Sequence, residues 1–495
     1  MRILPVALAL LLAAGCLSAP PASPGTLPPA PVAASPTSVL AGTVEPGELT
    51  APTFKLLGAL ATGGPAYSAG EPSIRATLDG LLYVAFPGCD TPGSILLPDV
   101  PGQPRCDHGV VYKSADQGGA WTRLNDATTG RLSDKGPAAN GDAEVAVDSA
   151  GTVYASNLGG GIHVQKSSDG GKTWSYVANV VPPKESADRQ WMAAAHPGHL
   201  ILAWMGSLGA DRPRSVILNT TFDGGATWTG ATALGDGIGW IGPVQFAPNG
   251  TAAYVVYTQP LPVPAGAQGL VAPQPCSVMV GRTLDGGRAW EAIDTGARIV
   301  ANVQGQHWSC VNMAPALDVT GDGHVVAAWS EDVESAADLT SQGAVVKAVV
   351  GEPGGAAWGQ SFAVSADATA IMPWVAAGAG DRFAVTYLAS DVPVDPDYGG
   401  GRWALKAAVV DGPGPGAKVV RSTIDPNVHE GGICSRGGGC FTSGSDRFLL
   451  DFFQNDVLPD GRLVVVYPAN PASGARFLEI RVALQDGGSP LLRKP

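Results

Sequence analysis

Charged residues are scarce in this 495-residue sequence, and basic residues are the scarcer kind. Asp, Glu, Lys and Arg make up 15% of the chain, and 43 acidic against 30 basic residues leave a formal net charge of −13. Nucleic acids and anionic membrane surfaces are polyanions, so an acidic chain is poorly suited to either. We therefore expect neither as a partner.

The sequence also lacks long apolar runs and metal-finger cysteine pairs. Beyond the first 16 residues no apolar run approaches the roughly 20 residues that a membrane-spanning helix needs. None of the seven cysteines has the spacing of a metal finger. We expect no metal ion and no cofactor.

The N-terminus has the pattern of a secretory signal. Arg2 precedes an apolar run over residues 3–12, which is too short to cross a bilayer, and Ala13-Ala14-Gly15-Cys16 follows. These four residues resemble a lipobox, which predicts a diacylglyceryl anchor on Cys16; the alternative is an ordinary signal peptide cut at a nearby Ala. Residues 17–52 are rich in Pro, Ala, Ser and Thr and predict an extended tether. The prediction is an extracytoplasmic protein that touches the cell-envelope membrane only through its lipid.

Without Cys16, six cysteines remain, an even number that suits an oxidising compartment. Six cysteines allow 15 pairings, so the sequence leaves the connectivity open. The candidate pairs are Cys89 with Cys106, Cys276 with Cys310, and Cys434 with Cys440.

An eight-residue pattern occurs four times, at residues 114–121, 167–174, 221–228 and 283–290. Each copy, which we call an octet, begins with Ser or Thr, has Asp at position three and Gly at position five, and ends in Trp. The Asp positions are 53, 54 and 62 residues apart. Repetition at such a period indicates supersecondary units that stack on copies of themselves.

The octet also has the composition of a tight turn. The hydroxyl and the carboxylate can share backbone hydrogen bonds, and the Gly at position five permits a positive φ. The Trp begins an extended segment and buries apolar surface beneath the turn.

These octets resemble the Asp-box, or BNR repeat, of sialidases and other β-propellers. The resemblance implies that each box joins the third and fourth strands of a blade, far from any catalytic centre. It assigns a structural role to the four Asp and four Trp residues, Asp116, Trp121, Asp169, Trp174, Asp223, Trp228, Asp285 and Trp290.

Paired strand patterns predict seven four-stranded blades, with six as the alternative. The 67 glycines suit an all-β protein with many turns. The last pair is placed at residues 449–453 and 463–467, and its blade lacks a fourth strand. Residues 53–60 can supply that strand and close the ring. The predicted propeller covers residues 53–487, followed by a tail at 488–495, and we expect a monomer.

Polar side chains recur where the innermost strands begin, around the mouth of the central channel. We expect the octet turns and the turns between the first two strands on opposite sides of the ring, with the mouth on the side of the long loops. The candidate catalytic residues are Asp188, Arg189, Asp446, Arg447 and Asp451, and the candidate ligand-binding residues are Glu71, Glu144, Trp240 and Trp374. Arg binds a planar carboxylate bidentately, and clustered acids shift one another's pKa values. The alternative is that they form ion pairs that join the blades.

The sialidase resemblance implies a carbohydrate-directed function, but its catalytic motif matches poorly. Sialidases have an Arg-Ile-Pro motif in the first blade, whereas this chain has Ile74-Arg75 in the opposite order and no following Pro. Arg189 and Arg447 are candidates for a carboxylate clamp, and Tyr467 has no identifiable Glu partner. We therefore favour a module that binds a glycan or an extracellular protein, with a sialidase-type glycoside hydrolase as the alternative.

Overall fold

A computed structural model of the chain describes residues 48–60, 67–68, 70–89, 108–126, 131–133, 141–181, 185–209, 211–262, 275–299, 314–334, 341–394, 396, 401–434, 449, 451–470 and 479–491. Several predicted features lie outside these residues: the signal segment with Cys16, most of the tether, Cys106, Cys310, Cys440, Asp446 and Arg447. Cys89 lies in a described strand, but its side chain is not described.

The described residues contain no helix and form seven antiparallel sheets arranged as a seven-bladed β-propeller. The prediction of seven blades is confirmed over the alternative of six. No helix in the described part of the chain is long and apolar enough to span a membrane.

The first three blades follow one another along the chain. Blade 1 comprises β2 (Tyr67–Ser68), β3 (Ser73–Ala76), β4 (Leu82–Cys89), β5 (His108–Ser114) and β6 (Thr122–Arg123), with β2 and β3 both pairing with β4. Blade 2 comprises β7 (Ala143–Val147), β8 (Val153–Leu158), β9 (Ile162–Ser167) and β10 (Ser175–Asn179). Blade 3 comprises β11 (Ser186–Ala194), β12 (Leu200–Ser207), β13 (Ser215–Thr221) and β14 (Thr232–Leu234).

Blades 4 to 6 repeat this arrangement. Blade 4 comprises β15 (Ile241–Phe246), β16 (Ala253–Pro260), β17 (Cys276–Thr283) and β18 (Glu291–Ile299). Blade 5 comprises β19 (Ala316–Val319), β20 (Val325–Glu334), β21 (Ser341–Gly351) and β22 (Phe362–Ala363). Blade 6 comprises β23 (Thr369–Ala377), β24 (Arg382–Ser390), β25 (Gly401–Asp411) and β26 (Lys418–Gly431).

Blade 7 closes the ring with a strand from the other end of the chain. It comprises β27 (Gln454–Val457), β28 (Leu463–Ala469), β29 (Glu479–Gly487) and β1 (Thr53–Ala59). β1 pairs antiparallel with β29, from Thr53 opposite Gly487 to Ala59 opposite Arg481. The predicted closure by the N-terminal strand is confirmed, and it hydrogen-bonds an edge of β29 that would otherwise be open.

The first strand of blade 7 was predicted wrongly. It begins at Gln454 rather than at Leu449, and it pairs with β28 from Gln454 opposite Val466 to Val457 opposite Leu463. The apolar residues that suggested a strand include Phe452 and Phe453, which are 4% and 2% exposed. Their apolar character reflects burial beside the channel mouth rather than membership of the sheet.

Burial along the strands follows their position in each blade. The second strand of blade 3, β12, is buried at seven consecutive residues, because neighbouring blades cover both of its faces. The outermost strand of blade 4, β18, alternates between exposed and buried residues over much of its length. The core therefore lies between successive blades, as where Trp204, Met192 and Tyr154 pack between blades 2 and 3.

The octet turns and the turns between the first two strands lie on the same side of the ring, contrary to the expectation above. Gly224 of the third octet donates a backbone hydrogen bond of 2.8 Å to Gly198, in the first turn of blade 3. The reason is that each antiparallel strand reverses the chain, so the first and third turns of a blade emerge together. We call this side the octet face and the opposite side the loop face.

Each octet joins the third and fourth strands of its blade with one set of hydrogen bonds. In the second octet the Ser167 hydroxyl donates to Asp169 at 2.8 Å and accepts from the amide of Gly171 at 2.8 Å. Asp169 also accepts from the amide of Thr173 at 2.9 Å. The corresponding bonds of the other three octets are 2.8–3.0 Å long. The predicted turn is thus present at all four sites.

A side chain from one blade also reaches the octet turn of the next. Lys113 donates to the carbonyl of Gly170 at 3.3 Å, Lys166 to that of Gly224 at 2.9 Å, and Arg282 to that of Gly354. Each donor is the residue immediately before position one of its own blade's octet or octet-like segment. Between blades 3 and 4 the equivalent residue, Thr220, donates its hydroxyl to the carbonyl of Gly287 at 3.1 Å, so blades 1 to 5 are linked in sequence on the octet face.

The described cysteine side chains are those of Cys276 and Cys434, which are fully buried and disulfide-bonded. The pairing of each stays a prediction. The start of the predicted C-terminal tail packs against the propeller, since Leu491 is 1% exposed and its amide bonds to the carbonyl of Gly461 at 2.9 Å.

Candidate functional site

The channel mouth contains three residues with an unusual backbone. Glu71, Arg189 and Met372 have φ values of 50°, 56° and 53°, in the left-handed region that non-glycine residues rarely adopt. Arg189 and Met372 lie where the register of β11 and β23 shifts at a bulge. A bulge redirects a side chain, and residues held in such conformations cluster at functional sites. The innermost strands are therefore distorted at their loop-face ends.

Arg189 is the centre of an ion-pair network between blades. Its guanidinium donates to Glu71 at 2.7 Å, forms an ion pair with Asp451, and lies 3.9 Å from Asp142. Glu71 precedes the inner strand of blade 1, Asp142 precedes that of blade 2, and Asp451 precedes that of blade 7. One cation of blade 3 therefore connects four blades across the mouth.

Aromatic rings enclose this cation. The Arg189 guanidinium lies 5.0 Å from the ring centroid of Trp240 and 5.6 Å from that of Phe452. Phe452 in turn packs on Trp191 and Trp374, at centroid distances of 4.8 Å and 6.1 Å. A desolvated cation over aromatic faces is held more firmly than one in water.

A second polar layer lines the channel deeper in the ring. Arg75 donates to Glu144 at 2.7 Å and to Gln454 at 2.9 Å, and Gln454 donates to Glu144 at 2.8 Å. Asp456 accepts from the amide of Ala76 at 2.8 Å, and Asp318 accepts from that of Ala377 at 2.8 Å. Each carboxylate thereby bonds to an inner strand of a neighbouring blade.

Burial shifts the pKa values of these carboxyl groups upward. It raises the pKa of Glu144 to about 7, against the opposing effects of Arg75 and Gln454. It raises the pKa of Asp318 to about 7, against hydrogen bonds from Ala377 and Val319. At the mouth, burial and the nearby charge of Glu71 raise the pKa of Asp142 well above its usual range, while Arg189 opposes the shift.

The structure brings together most of the predicted mouth residues that it describes. Glu71, Asp451 and Trp240 contact Arg189, and Asp188 is exposed beside it. Glu144 belongs instead to the deeper layer. Trp240 and Trp374 are 7% and 3% exposed, so they pack around the mouth rather than present an open ring face.

Sequence reasoning named Glu144 but missed the other charged residues of the deeper layer, although a signal for them exists. Arg75, Asp318 and Asp456 are each the third residue of the innermost strand of a blade. A charged residue at the same position in three otherwise buried strands indicates one level of a shared channel.

Tyr467, the candidate sialidase nucleophile, has an environment that opposes that role. Its hydroxyl donates to Asp425 at 3.0 Å, and Asp425 also pairs with Arg481 at 2.8 Å. Burial, reinforced by the charge of Asp425, raises the pKa of Tyr467. Asp425 is a neighbouring base of the kind that a nucleophile needs, but the Tyr467 side chain is 0% exposed and therefore does not reach a ligand.

The mouth of the channel is therefore rich in acceptors. Asp142, Glu71, Asp188 and Asp451 surround one guanidinium, and of these four carboxylates Asp188 is exposed. Carboxylate oxygens accept hydrogen bonds from hydroxyl or ammonium groups. No group of three or more His, Cys, Asp and Glu residues in the described part of the chain is arranged to hold a metal ion.

The sequence matches no protein-family model and no curated protein. Among solved structures, the chain is similar to the polysaccharide lyase Uly1 (10% identity over 91% of this chain and 95% of that one, TM-score 0.46). It is also similar to an α-L-arabinofuranosidase from Fusarium graminearum, with 15% identity over 73% of this chain and 97% of that one and a TM-score of 0.42. A fucose-specific lectin from Aleuria aurantia is similar with 12% identity over 74% of this chain and 99% of that one and a TM-score of 0.39. Similarity at this level carries no argument about function.

Proposed function

We propose that this protein is a surface-anchored, sialidase-like propeller that binds a glycan or an extracellular protein at the channel mouth. The observation that carries the proposal is the Arg189 network: four carboxylates surround one cation at a strained, aromatic-lined position. The ionic groups of the mouth are mostly engaged with one another, which suits recognition more than chemistry. Asp188, whose side chain is exposed, supplies an acceptor for a ligand.

Asp188 offers the sharpest test, because its side chain is exposed and we expect its replacement to leave the fold intact. We expect Asp188→Asn to weaken binding to ligands identified on a glycan array, with no change in Tm. Asp391→Asn is the matched control. The Asp391 side chain is exposed like that of Asp188, at 92%, but it lies outside the mouth network. Equal binding by wild type and Asp188→Asn would remove the mouth from the proposal.

A glycoside hydrolase is the second candidate, and Glu144 is the observation that favours it. A carboxyl group with a pKa of about 7 can donate a proton near neutral pH, as a glycosidase general acid does. Fluorogenic sialosides and α-L-arabinofuranosides test this candidate directly. If the wild type hydrolyses one of these substrates and Glu144→Gln abolishes that hydrolysis, the protein is an enzyme and the binding proposal is replaced.

The cellular location is a separate part of the proposal. A lipid on Cys16 and the tether after it would hold the propeller at the outer side of a membrane as a monomer. Cys16→Ser should then move the protein from the membrane fraction to the soluble fraction without changing the Tm of the propeller. Wild-type protein found entirely in the soluble fraction would contradict the anchor.

A further inference from the structure

A cavity of about 460 Å³ lies between blades 5 and 6 on the octet face, on the opposite side of the ring from the mouth. Its polar and aromatic lining residues are Asp322, His324, Glu352, Trp358 and Asp381. Asp322 and His324 come from the first turn of blade 5, and Asp381 comes from the first turn of blade 6. The volume is within the range of small-molecule sites.

The cavity forms where the propeller departs from its own repeat. Lys113, Lys166 and Arg282 each bond to the octet turn of the next blade, but Val350 occupies the equivalent position in blade 5. Blade 6 has a turn rich in Gly and Pro, over residues 412–416, in place of an octet. Thr220, at the equivalent position in blade 3, donates to the carbonyl of Gly287 at 3.1 Å. The polar side chain that bridges the four preceding interfaces is therefore absent from this one, and Val350 and Pro413 line the cavity instead.

The charged groups that line the cavity are predominantly acidic. Its lining includes three carboxylates and no Lys or Arg. The side chains of Asp322 and Asp381 are 49% and 40% exposed, so both can reach a ligand. His324 lies between them, with Nδ1 3.3 Å from Asp322 and 3.6 Å from Asp381.

Trp358 adds an aromatic surface to these carboxylates. Its Nε1 donates to the carbonyl of Gly355 at 3.0 Å, so the indole offers its ring rather than a donor. The ring is half-buried, and the cavity contains Pro413 as a further apolar surface. Carboxylates beside an aromatic ring attract an organic cation through both Coulombic and cation–π interactions.

We propose that this cavity binds a primary ammonium group carried on an apolar stem or ring. The carboxylates pair with the ammonium group, and Trp358, Val350 and Pro413 contact the attached carbon atoms. A lysine side chain of a peptide and an amino sugar both present this chemistry. The site is independent of the mouth, so its test does not depend on the function proposed above.

The test uses NMR titration of the full chain at low salt with two cations and their uncharged counterparts. Nα-acetyl-lysine methylamide is compared with the norleucine analogue, and glucosamine with N-acetylglucosamine. We expect saturable binding of at least one cation and of neither neutral compound. Binding of lysine alone points to a peptide source, and binding of glucosamine alone points to an amino sugar.

Blade 1 supplies a matched control variant. Asp322 accepts a hydrogen bond from Thr320 at 2.6 Å, and Asp79 accepts the same bond from Thr77 in the corresponding turn. Asp322→Asn should weaken binding at least fivefold, whereas Asp79→Asn should leave it unchanged. Val350→Lys, which places a cation at the position that Lys113, Lys166 and Arg282 occupy in blades 1, 2 and 4, should block the cavity.

Three outcomes would overturn the proposal. They are no saturable binding of either cation, equal binding of a neutral counterpart, and equal effects of Asp322→Asn and Asp79→Asn. If one variant unfolds, the wild-type titration with the two pairs of compounds still tests the proposal through the first two outcomes.

Discussion

At the scale of single residues, Arg189 has the largest structural consequence. It is 4% exposed and contacts acidic residues that belong to three other blades. The carboxylates raise its pKa, although burial alone would lower it. These contacts match the sequence-based alternative in which such residues join the blades, and they leave Asp188 as the exposed acid of the group.

Arg189→Ala should lower the free energy of unfolding by about 3–5 kcal/mol, because it leaves buried carboxylates without their cation. Denaturant unfolding measures this change. Arg298→Ala is the control, since its pair with Asp294 is 44% exposed on both sides and should change stability by about 0.5 kcal/mol or less. The double variant with Asp451→Asn should regain part of the loss. A stable Arg189→Ala protein that loses only ligand binding would instead make Arg189 a ligand-binding residue.

At the scale of elements, the octet turn explains why its Asp recurs. The carboxylate accepts hydrogen bonds from a hydroxyl and from the backbone, and these bonds hold the pKa of Asp223 at about 2. The fifth turn has Pro353 in place of Asp, yet Trp358 keeps its bond to Gly355. The turn thus depends on several small contributions rather than on one residue.

Asp169→Ala should lower the Tm by about 1–3 °C, since the amide and hydroxyl of Thr173 lose their acceptor. Differential scanning calorimetry measures the shift. Ser168→Ala, at an exposed position of the same turn, should leave the Tm unchanged. Loss of ligand binding by Asp169→Ala at an unchanged Tm would contradict a structural role for this turn.

At the scale of the whole molecule, closure depends on a short strand from the far end of the sequence. β1 is hydrogen-bonded to β29, and the residues around it bond further along the chain, as where Thr50 bonds to Ser489 at 2.9 Å. Without β1 the edge of β29 would be open to pairing with other molecules.

A chain that begins at residue 61 should therefore aggregate or unfold at a lower temperature than a chain that begins at residue 48. Size-exclusion chromatography and thermal unfolding distinguish the two. The longer chain is the control, because it retains β1 and all its pairing. A monomeric shorter chain with the same Tm would show that β1 does not stabilise the ring.

The pH dependence of stability also belongs to the whole molecule, because the deeper polar layer of the channel and the octet turns contribute with opposite signs. The folded-state pKa values of Glu144 and Asp318 are raised to about 7, so their neutral forms favour folding and this contribution is lost as the pH rises from about 4.5 to 7. The folded-state pKa of Asp223 is lowered to about 2, so its contribution is lost as the pH falls below about 4.

Stability measured by thermal unfolding should therefore be highest near pH 4–5 and fall towards pH 8. Glu144→Gln and Asp318→Asn should each flatten the fall on the alkaline side, and Asp223→Asn should flatten only the acid side. If the Tm instead rises from pH 5 to pH 8, and does so equally in the wild type and in Glu144→Gln, Glu144 is not a source of the pH dependence.

The sequence alone determined the architecture of this protein. Repeated octets, paired strand patterns and a missing last strand were enough to predict seven blades closed by the N-terminal strand, because turn chemistry and strand periodicity are local properties. Local patterns failed in blade 7, where a buried aromatic segment has the same composition as a buried strand.

Only the tertiary structure decided which polar residues meet. Arg189 contacts Glu71 across 118 positions, and Gln454 contacts Glu144 across 310. The cavity between blades 5 and 6 likewise lies where Val350 replaces the polar side chain found at this position in blades 1 to 4. A sequence places each residue on a strand or a turn, but only closure of the ring brings the blades together. The contacts between blades determine the charge and the burial of a site, and therefore its chemistry.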